Sequence, residues 1–466
     1  MKGSNPDLLF AAVGGKAVVG RFDGGDITSD AGFLLLAQAD HKIGLTQALA
    51  AVMVDKRQAS KVLHPLPLLL QERIYAIAAG YPDANDGDTL RHDPALKLAC
   101  DRRPQSDPPL ASQPTLSRLE NGVNAKQLLR LSLALAQRVI AQLPADTRHV
   151  VLDVDASDDA CHGQQEFEEF NAYYDTHCYL PLYLHVTGED GRQRLLGVLL
   201  RPGKASATRG LRGLLGPAVR LLRARLPQVH IVVRADSGFG SAKVLRLCDG
   251  WGVDYVLGLA QNARLQRLST PVQMDACLKY RWAGEGCREF GEFDYKAGSW
   301  DQARRVIVKA EITRHELNPR CVVTSLSGGS PAPAASATAA SATAARVPTP
   351  EEIYLFYGGR GEQENRIKEM KLDVDSGRTS CHRFLANQCR LLWHAAAGVL
   401  LGAVQAAAGT RWASAQMGTL RLRLLKVGAR VVESSRKVWV HLSSAFPEQG
   451  VWGHLYERLG AWRMVT

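Results

Sequence analysis

Four polar residues near the end of the chain have the types and spacing of a phosphate-handling site: Tyr357, Arg360, Glu364 and Lys371. Their successive offsets of three, four and seven residues return to one side of an α-helix, in which each residue turns by about 100°. A carboxylate can hold a metal ion, while a phenol, a guanidinium and an ammonium group can bind phosphate oxygens. Three glycines around Arg360 disfavour helix, so we expect the helix itself to begin near Glu362. Tyr357 and Arg360 would then lie on the segment that leads into it.

Two further acids stand where apolar strands are predicted to end. Residues 150–155 and 229–236 each form a short apolar run that finishes in an aspartate, Asp155 (with Asp153 as the alternative) and Asp236. Two divalent ions about 4 Å apart can activate an attacking oxygen and stabilise a leaving one. Mg²⁺ prefers oxygen ligands and needs only one or two carboxylates per ion. Each acid alone is more simply explained as a helix cap or a solvated side chain, and only the set with Glu364 favours catalysis on a phosphodiester.

The elements that must position these acids alternate between strands and helices, which indicates an α/β fold. Beside the two strands that end in aspartate, the patterns predict strands at 179–186, 194–200 and 253–259 and helices at 211–226 and 241–250. Residues from about 30 to 145 have mostly helical spacing, as in 32–38, 65–79 and 125–143. Residues 112–120 are similar to a DNA recognition helix, although any capped amphipathic helix has this pattern.

The later part of the chain is more mixed. From about 265 to 350 the alternation is typical of β-structure, but two copies of Ser-Ala-Thr-Ala-Ala at 336–340 and 341–345 cannot bury a core. We therefore expect a flexible loop there. Strands are predicted at 420–425 and 438–442, and the apolar residues 391–408 are predicted to form a buried helix rather than a membrane span.

Composition indicates a large protein with a polyanionic partner. A length of 466 residues predicts two to four substructures, and a net charge of +11 favours nucleic acid. From Arg378 onward there are twelve Lys or Arg and three Glu. The nine cysteines include no CxxC pair, so neither a zinc ribbon nor a disulfide framework is indicated. The first residues, MKGSNPDLLF, contain no apolar signal segment, and we expect a cytoplasmic, nucleoid-associated protein.

These residues resemble the DDE transposases of bacterial insertion sequences, in the branch with a Tyr-x2-Arg-x3-Glu-x6-Lys signature. That signature is complete from Tyr357 to Lys371. Arg-Ala-Asp-Ser-Gly-Phe at 234–239 is similar to the second aspartate motif, and Leu-Asp-Val-Asp-Ala-Ser-Asp-Asp at 152–159 to the first. Asp155 is the better match to the family's Asp-x-Thr pattern, although Ala-Ser follows it here, and Asp153 stays in reserve. The resemblance covers roughly residues 150–400.

The resemblance implies a fold and a domain order. It implies an RNase H-like mixed sheet flanked by helices, interrupted by a mainly β insertion and preceded by an N-terminal helical domain. The expected segments are 1–148 (helical, DNA-end-binding), 149–264 (first part of the catalytic core), 265–350 (insertion), 351–408 (second part of the core) and 409–466 (basic C-terminal region).

The resemblance also implies roles for single residues. The metal ligands, for two Mg²⁺ or Mn²⁺ ions, would be Asp155, Asp236 and Glu364. The groups that contact DNA phosphates would be Tyr357, Arg360 and Lys371. A tryptophan of the insertion would hold a flipped base, with Trp282 and Trp300 as candidates. The implied partner is double-stranded DNA, as terminal inverted repeats and as target, bound by a homodimer that brings two ends together.

Two other classes of function explain the sequence less well. A DNA-binding regulator with an inactive core would rest on residues 112–120, but all three acids are present, which argues against decay of the site. A glycoside hydrolase would use paired carboxylates. It would explain neither the net charge nor the Arg and Lys beside Glu364.

Overall fold

The computed structural model describes residues 7–313, 316–327 and 347–460. By its packing the chain divides into two compact units. The first comprises Met1–Gly122, Asp373–Asp375 and Ala396–Thr466, and the second comprises Val123–Leu372 and Ser376–Ala395. Residues 123–148 thus group with the second unit, whereas the sequence-based division placed its first boundary at 148. The tandem repeat at 336–345, predicted to be a flexible loop, lies outside the described residues.

The strands of the described chain are β1 Leu8–Val13, β2 Lys16–Gly20, β3 Ile27–Thr28, β4 His149–Ala156, β5 Asp159–Ala160, β6 Glu169–Asn171, β7 Thr176–Tyr179, β8 Leu182–Thr187, β9 Gln193–Leu199, β10 His230–Ala235, β11 Asp254–Leu259, β12 Cys287–Tyr295, β13 Arg304–Thr313, β14 Glu316–Thr324, β15 Ala429–Glu433 and β16 Val438–Leu442. The central feature of the second unit is an eight-stranded mixed sheet with the strand order β12-β13-β14-β11-β10-β4-β8-β9. Strands β4, β10 and β11 run parallel, and the other neighbours are antiparallel.

The helices of the described chain are α1 Phe33–Ile43, α2 Leu45–Val52, α3 Leu66–Ala78, α4 Gly87–Leu90, α5 Pro94–Ala99, α6 Gln113–Asn121, α7 Ala125–Ile140, α8 Leu211–Arg225, α9 Ala242–Trp251, α10 Ala263–Ala283, α11 Pro350–Gly358, α12 Gly361–Leu372, α13 Phe384–Ala408, α14 Met417–Leu420 and α15 Gln449–Leu459. Four of them pack on the sheet: α8 contacts β9, α9 contacts β11, α11 contacts β13 and α12 contacts β4. The predicted α/β class, with a large mixed sheet flanked by helices, is confirmed.

Strands β4 and β10 lie side by side in the middle of the sheet. Their apolar residues are buried on both faces, as expected for parallel strands covered by helices. The register runs from His230 opposite His149 to Ala235 opposite Val154. Because the two strands are parallel, their carboxyl ends reach the same edge of the sheet, and the residues that follow are neighbours.

Helix α11 is fixed on the sheet by its apolar residues. Thr349 and Glu352 form a capping box at its start, and Pro350 occupies the first turn. Ile353, Tyr354 and Phe356 then pack in one core cluster with residues of β10, β11, β13 and β14. The helix ends at Gly358, and α12 begins at Gly361. The prediction that a new helix begins near Glu362 is confirmed.

The insertion begins with a long helix, and the expectation of a mainly β insertion is wrong for that part. Helix α10 is capped by the Asn262 side chain and buries Leu265, Ser269 and Ala276, which have helical spacing. Pro271 and several polar residues interrupt this pattern in the sequence, which is why it did not stand out. Strands β12, β13 and β14 follow as an antiparallel meander.

The strand predicted at 420–425 is also wrong. Residues 417–425 instead form helix α14 and a π-helical turn, Arg421–Leu425. Leu420 and Leu424 are both buried, and their spacing of four residues is that of a helix face. The strand predicted at 438–442 is confirmed as β16.

The apolar residues 391–408 belong to helix α13, as predicted. By length and composition this helix could cross a membrane, yet 83% of its most apolar 18-residue window is buried inside the protein. Trp393, Leu400 and Val404 are fully buried. The prediction of a buried helix is therefore confirmed.

The first unit buries charged groups in its helical core. Arg73 on α3 pairs with Glu120 on α6 at 2.8 Å, with both side chains almost inaccessible to solvent. The preceding residue, Glu72, accepts the backbone N–H of Ala111 at 3.0 Å, and among the described residues its Oε1 has no hydrogen-bond partner. Burial raises the pKa of Glu72 to about 8.

Replacing Glu72 with glutamine is expected to flatten the pH dependence of stability. Between the ordinary pKa of 4.5 and about 8, folded Glu72 keeps a proton that the unfolded chain releases. The unfolding free energy of the wild type therefore falls as pH rises through this interval, by up to about 1.4 kcal/mol per unit from this group. Urea unfolding of both proteins at pH 5, 6.5 and 8 measures the difference. If the unfolding free energies of wild type and Glu72→Gln changed with pH in the same way, Glu72 would be ionised in the folded protein.

Candidate active site

Two carboxylates stand next to each other at the carboxyl ends of β4 and β10. Ala235 pairs with Val154, so Asp155 and Asp236 occupy the next position in the register, where neighbouring strands lie about 4.8 Å apart. Asp236 caps the turn that follows β10 by accepting the backbone N–H of Gly238 at 2.9 Å. The sheet thus brings together two residues that are 81 positions apart in the chain.

Asp155 is the more buried of the two, with 9% of its surface exposed. Burial is the largest cause that raises its pKa to about 6, and the negative charge of Asp236 is the next. Arg360 opposes these effects, and Glu364 adds a smaller increase. Both other predicted acids therefore lie within electrostatic reach of Asp155, where a cation would be stabilised.

Arg360 connects two of the three acids. Its Nη1 lies 3.1 Å from Asp155 Oδ2, and its Nη2 lies 2.7 Å from Glu364 Oε1. Burial lowers the pKa of Arg360, but the charge of Asp155 and smaller contributions from its neighbours outweigh this, so the net pKa is raised and the side chain stays cationic. Burial is the main cause that raises the pKa of Tyr357, and the positive charge of Arg360 opposes this increase.

Asp153, the alternative first acid, is engaged elsewhere. It is fully buried and forms a two-point pair with Arg234, whose Nε and Nη2 lie 2.6 and 2.9 Å from its two carboxylate oxygens. Gln193 donates a third hydrogen bond to Asp153, at 2.9 Å. Asp153 therefore has an internal partner for its charge, while Asp155 is the residue beside Asp236.

Arg234 also ties the sheet to the helix that precedes Arg360. Its Nη1 donates to the carbonyl oxygen of Phe356 at 2.5 Å, and its guanidinium carbon lies 4.9 Å from the centre of the Phe356 ring. Glycine is needed nearby, because a Cβ on Gly359 would come within 2.5 Å of Arg234 Nη1. In the sequence Arg234 stands out only as part of the second aspartate motif, because nothing in the sequence shows which carboxylate it pairs with.

Two further positioning residues were missed. Gln363 is fully buried beside the exposed Glu364, and its side chain donates to the carbonyl oxygen of Asp153 at 2.9 Å, which fastens α12 to β4. Gly258 on β11 lies under the site, and a Cβ there would approach Tyr357 Oη to 2.7 Å. A glutamine in a polar segment and a glycine within an apolar strand are the only signals that the sequence offers for them.

Lys371 is placed at the turn that follows Asp155. Its Nζ donates to the carbonyl oxygen of Asp158 at 2.7 Å, to the carboxylate of Asp158 at 3.1 Å and to Ser157 Oγ at 3.2 Å. The ammonium group thus braces the residues directly after β4, and 28% of the side chain remains exposed.

The two candidate tryptophans of the insertion differ in exposure. Trp300 is only 5% exposed and packs edge-on against Tyr295, so its ring has no free face for a base. Trp282, at the end of α10, is 89% exposed. Only Trp282 presents a ring on which a base could stack.

The oxygen donors at this edge of the sheet fit a hard divalent cation. Asp155 and Asp236 are enough carboxylates for one ion that keeps several waters. Within residues 7–313, 316–327 and 347–460, however, no three His, Cys, Asp or Glu side chains are arranged to hold a metal ion together. Glu364 lies against Arg360 instead, with 46% of its side chain exposed.

Comparison with known proteins identifies the family. A search of curated protein sequences finds no significant match. A family model described as the transposase DDE domain, group 1, matches residues 10–464, nearly the whole chain, and this range includes Asp155, Asp236 and Glu364. The members of this family are enzymes that cleave and transfer DNA. Because the match covers nearly all residues, the chain belongs to the DDE transposase family.

Proposed function

We propose that this protein is the transposase of an insertion sequence, which binds terminal inverted repeats and cleaves and joins DNA with Asp155, Asp236 and Glu364. One observation carries the proposal: two carboxylates end adjacent parallel strands, and Arg360 bridges the third acid, Glu364, to one of them, Asp155. Like charges brought together at a sheet edge are stabilised by a cation. The strand arrangement around them supports an RNase H-like core.

The residues that would hold two Mg²⁺ or Mn²⁺ ions are Asp155, Asp236 and Glu364. Such ions, when bound, activate the attacking oxygen and stabilise the leaving one. In the first step water attacks phosphorus and the 3′ oxygen leaves with a proton, which frees a 3′-OH. In the second step the oxygen of that hydroxyl attacks the phosphorus of a phosphodiester in the opposite strand or in target DNA. A new P–O bond forms, the P–O3′ bond of the attacked strand breaks, and the proton of the attacking hydroxyl ends on the departing 3′ oxygen.

The basic and aromatic residues of the site would act on the phosphates. Arg360 reaches both Asp155 and Glu364, so a phosphate bound at these acids lies within range of its remaining N–H groups. The half-buried Tyr357 lies within electrostatic reach of the same guanidinium and would help to place the terminal phosphate. Lys371 would hold the turn after Asp155 and neutralise a nearby phosphate. A homodimer would bring two DNA ends together.

Removal of divalent metal is expected to stop cleavage while DNA binding persists. The test is a supercoiled plasmid that carries the DNA flanking the coding sequence on both sides, incubated with the protein in Mg²⁺, Mn²⁺ or excess EDTA. We expect nicked and linear products only with metal, with 3′-OH ends at the element boundary, and a mobility shift of end fragments in every condition. Binding without metal-dependent cleavage would overturn the proposal and favour a DNA-binding regulator with an inactive core.

A further inference from the structure

One segment of the second unit carries only positive charge. Residues 191–235 contain ten Lys or Arg and no Asp or Glu, and they end one residue before Asp236. The segment comprises β9, a loop at 200–210, α8 and β10. A run of like charges next to a cluster of carboxylates implies that some of these cations serve another partner.

Several of these cations have internal partners. Arg194 pairs with Asp190, Arg234 pairs with Asp153, and Arg223 donates to the carbonyl oxygens of Trp251 and Gly252. These contacts explain their charge as part of the fold. The loop between β9 and α8 is different.

The loop at 200–210 is built around a buried arginine. Arg201 is 2% exposed, and no carboxylate among the residues that the structure describes pairs with it. Its guanidinium donates instead to the carbonyl oxygens of Leu180, Ser206, Ala207 and Arg209 at 2.7–3.2 Å. Gly203 is closely enclosed, because a Cβ there would come within 2.4 Å of two backbone oxygens. These contacts give the loop a fixed shape, which is what an element that positions a substrate requires.

The same loop contacts the turn that holds Asp236. A Cβ on Gly238 would lie 3.2 Å from the Cβ of Ala207 and 3.1 Å from Asp236 Oδ1. The loop therefore borders the carboxylate site directly. Ser206, three residues before Arg209, is exposed on this loop.

Three cations on the loop and the first turn of α8 point to solvent: Lys204, Arg209 and Arg212. Throughout the described part of the chain none of the three forms an ion pair with an acidic side chain. Exposed cations held on a rigid loop, without acidic neighbours in the sequence, match a polyanion better than they match a protein surface.

We infer that the loop at 200–210, through Lys204 and Arg209 and with Arg212 of α8, binds the sugar-phosphate backbone of DNA next to the carboxylate site. This inference rests on the proposed function, since it names part of the DNA path for the same site. The contact is independent of base sequence, because point charges on phosphates carry no sequence information. It positions the strand beside Asp236 without taking part in the chemistry.

The test is the salt dependence of binding, measured by fluorescence anisotropy with a labelled 30-base-pair duplex of arbitrary sequence and the full-length protein. Each phosphate contact contributes about 0.9 to the slope of log K against log salt. The double variant Lys204→Ala, Arg209→Ala is expected to lower the slope by about 1.8 and to weaken binding about thirtyfold at 0.15 M salt. The charge-conserving double variant Lys204→Arg, Arg209→Lys should keep the wild-type slope.

A matched control removes two exposed arginines from the later turns of α8, Arg220 and Arg225, where the helix leads to the start of β10 and so to the sheet edge opposite Asp236. The double variant Arg220→Ala, Arg225→Ala changes the net charge by the same amount, and we expect its slope to stay within about 0.3 of the wild type. An equal fall in both alanine variants, or no fall in the loop variant, would overturn the inference. Plasmid nicking by the wild type is scored in the same preparations. If the loop variant keeps the wild-type slope and the wild type nicks the plasmid, only the inference about the loop is rejected. If the wild type does not nick the plasmid, the proposed function is rejected.

Discussion

Replacing Asp155 with asparagine is expected to lower metal-dependent plasmid nicking by at least about a thousandfold. The change removes one negative charge from a nearly isosteric side chain at the end of β4, where Asp236 and Glu364 both act on the carboxylate. A neutral amide binds a hard divalent cation far less well than a carboxylate does. The initial rate of nicking in Mg²⁺, with end binding measured in parallel by mobility shift, gives the result.

The matched control for this variant is Asp146→Asn, on the exposed loop before β4. It makes the same chemical change away from the carboxylates and should nick at the wild-type rate. Nicking by Asp155→Asn within tenfold of the wild type, with end binding intact, would remove Asp155 from the metal ligands. Asp236→Asn and Glu364→Gln should behave as Asp155→Asn does, since each takes one carboxylate from the same set.

Replacing Arg234 with methionine is expected to lower the unfolding free energy of the second unit by about 3–5 kcal/mol. The reason is that the fully buried carboxylate of Asp153 would lose the two-point pair with Arg234. Asp153→Leu should cost about as much, because it leaves the Arg234 guanidinium buried and unpaired. Urea unfolding monitored by tryptophan fluorescence measures both.

The double variant Asp153→Leu, Arg234→Met separates stability from positioning. Apolar groups in place of both charges should restore most of the unfolding free energy. Nicking should stay low even so, because the hydrogen bond from Arg234 to Phe356 is still missing and the segment that carries Arg360 is no longer tied to β10. Two single variants that each lose less than about 1 kcal/mol, or a double variant with full activity, would show that Arg234 does not position the site.

The parts of the site that could be predicted are those that depend on short-range pattern. Apolar runs that end in an acid predicted β4 and β10. Because neighbouring parallel strands have their carboxyl ends at the same edge of the sheet, Asp155 and Asp236 come together there. The contacts of Asp153, Arg234 and Gln363 could not be predicted in this way. Their partners lie 81 to 210 residues away, and the side chains that pair are decided by the register of the sheet and the docking of α11 and α12.

The errors in the fold have a related cause. In α10, polar residues and Pro271 obscure a helical stripe that becomes visible only when β12 and β13 cover one side. In residues 420–425, alternation of Leu with Arg imitates a strand, whereas packing selects a π-helical turn. A sequence pattern shows which residues are apolar. Where that pattern fits both a strand and a helix, tertiary contacts decide which of the two forms.

The tie between Arg234 and Phe356 joins pieces of chain that leave the ribosome at very different times. When β4 and β10 have been synthesised, Asp155 and Asp236 are present, but the segment with Arg360 and Glu364 does not yet exist. More than a hundred further residues must be translated before that segment can dock. A polypeptide truncated between β10 and α11 is therefore expected to show no metal-dependent nicking, because it contains only two of the three acids.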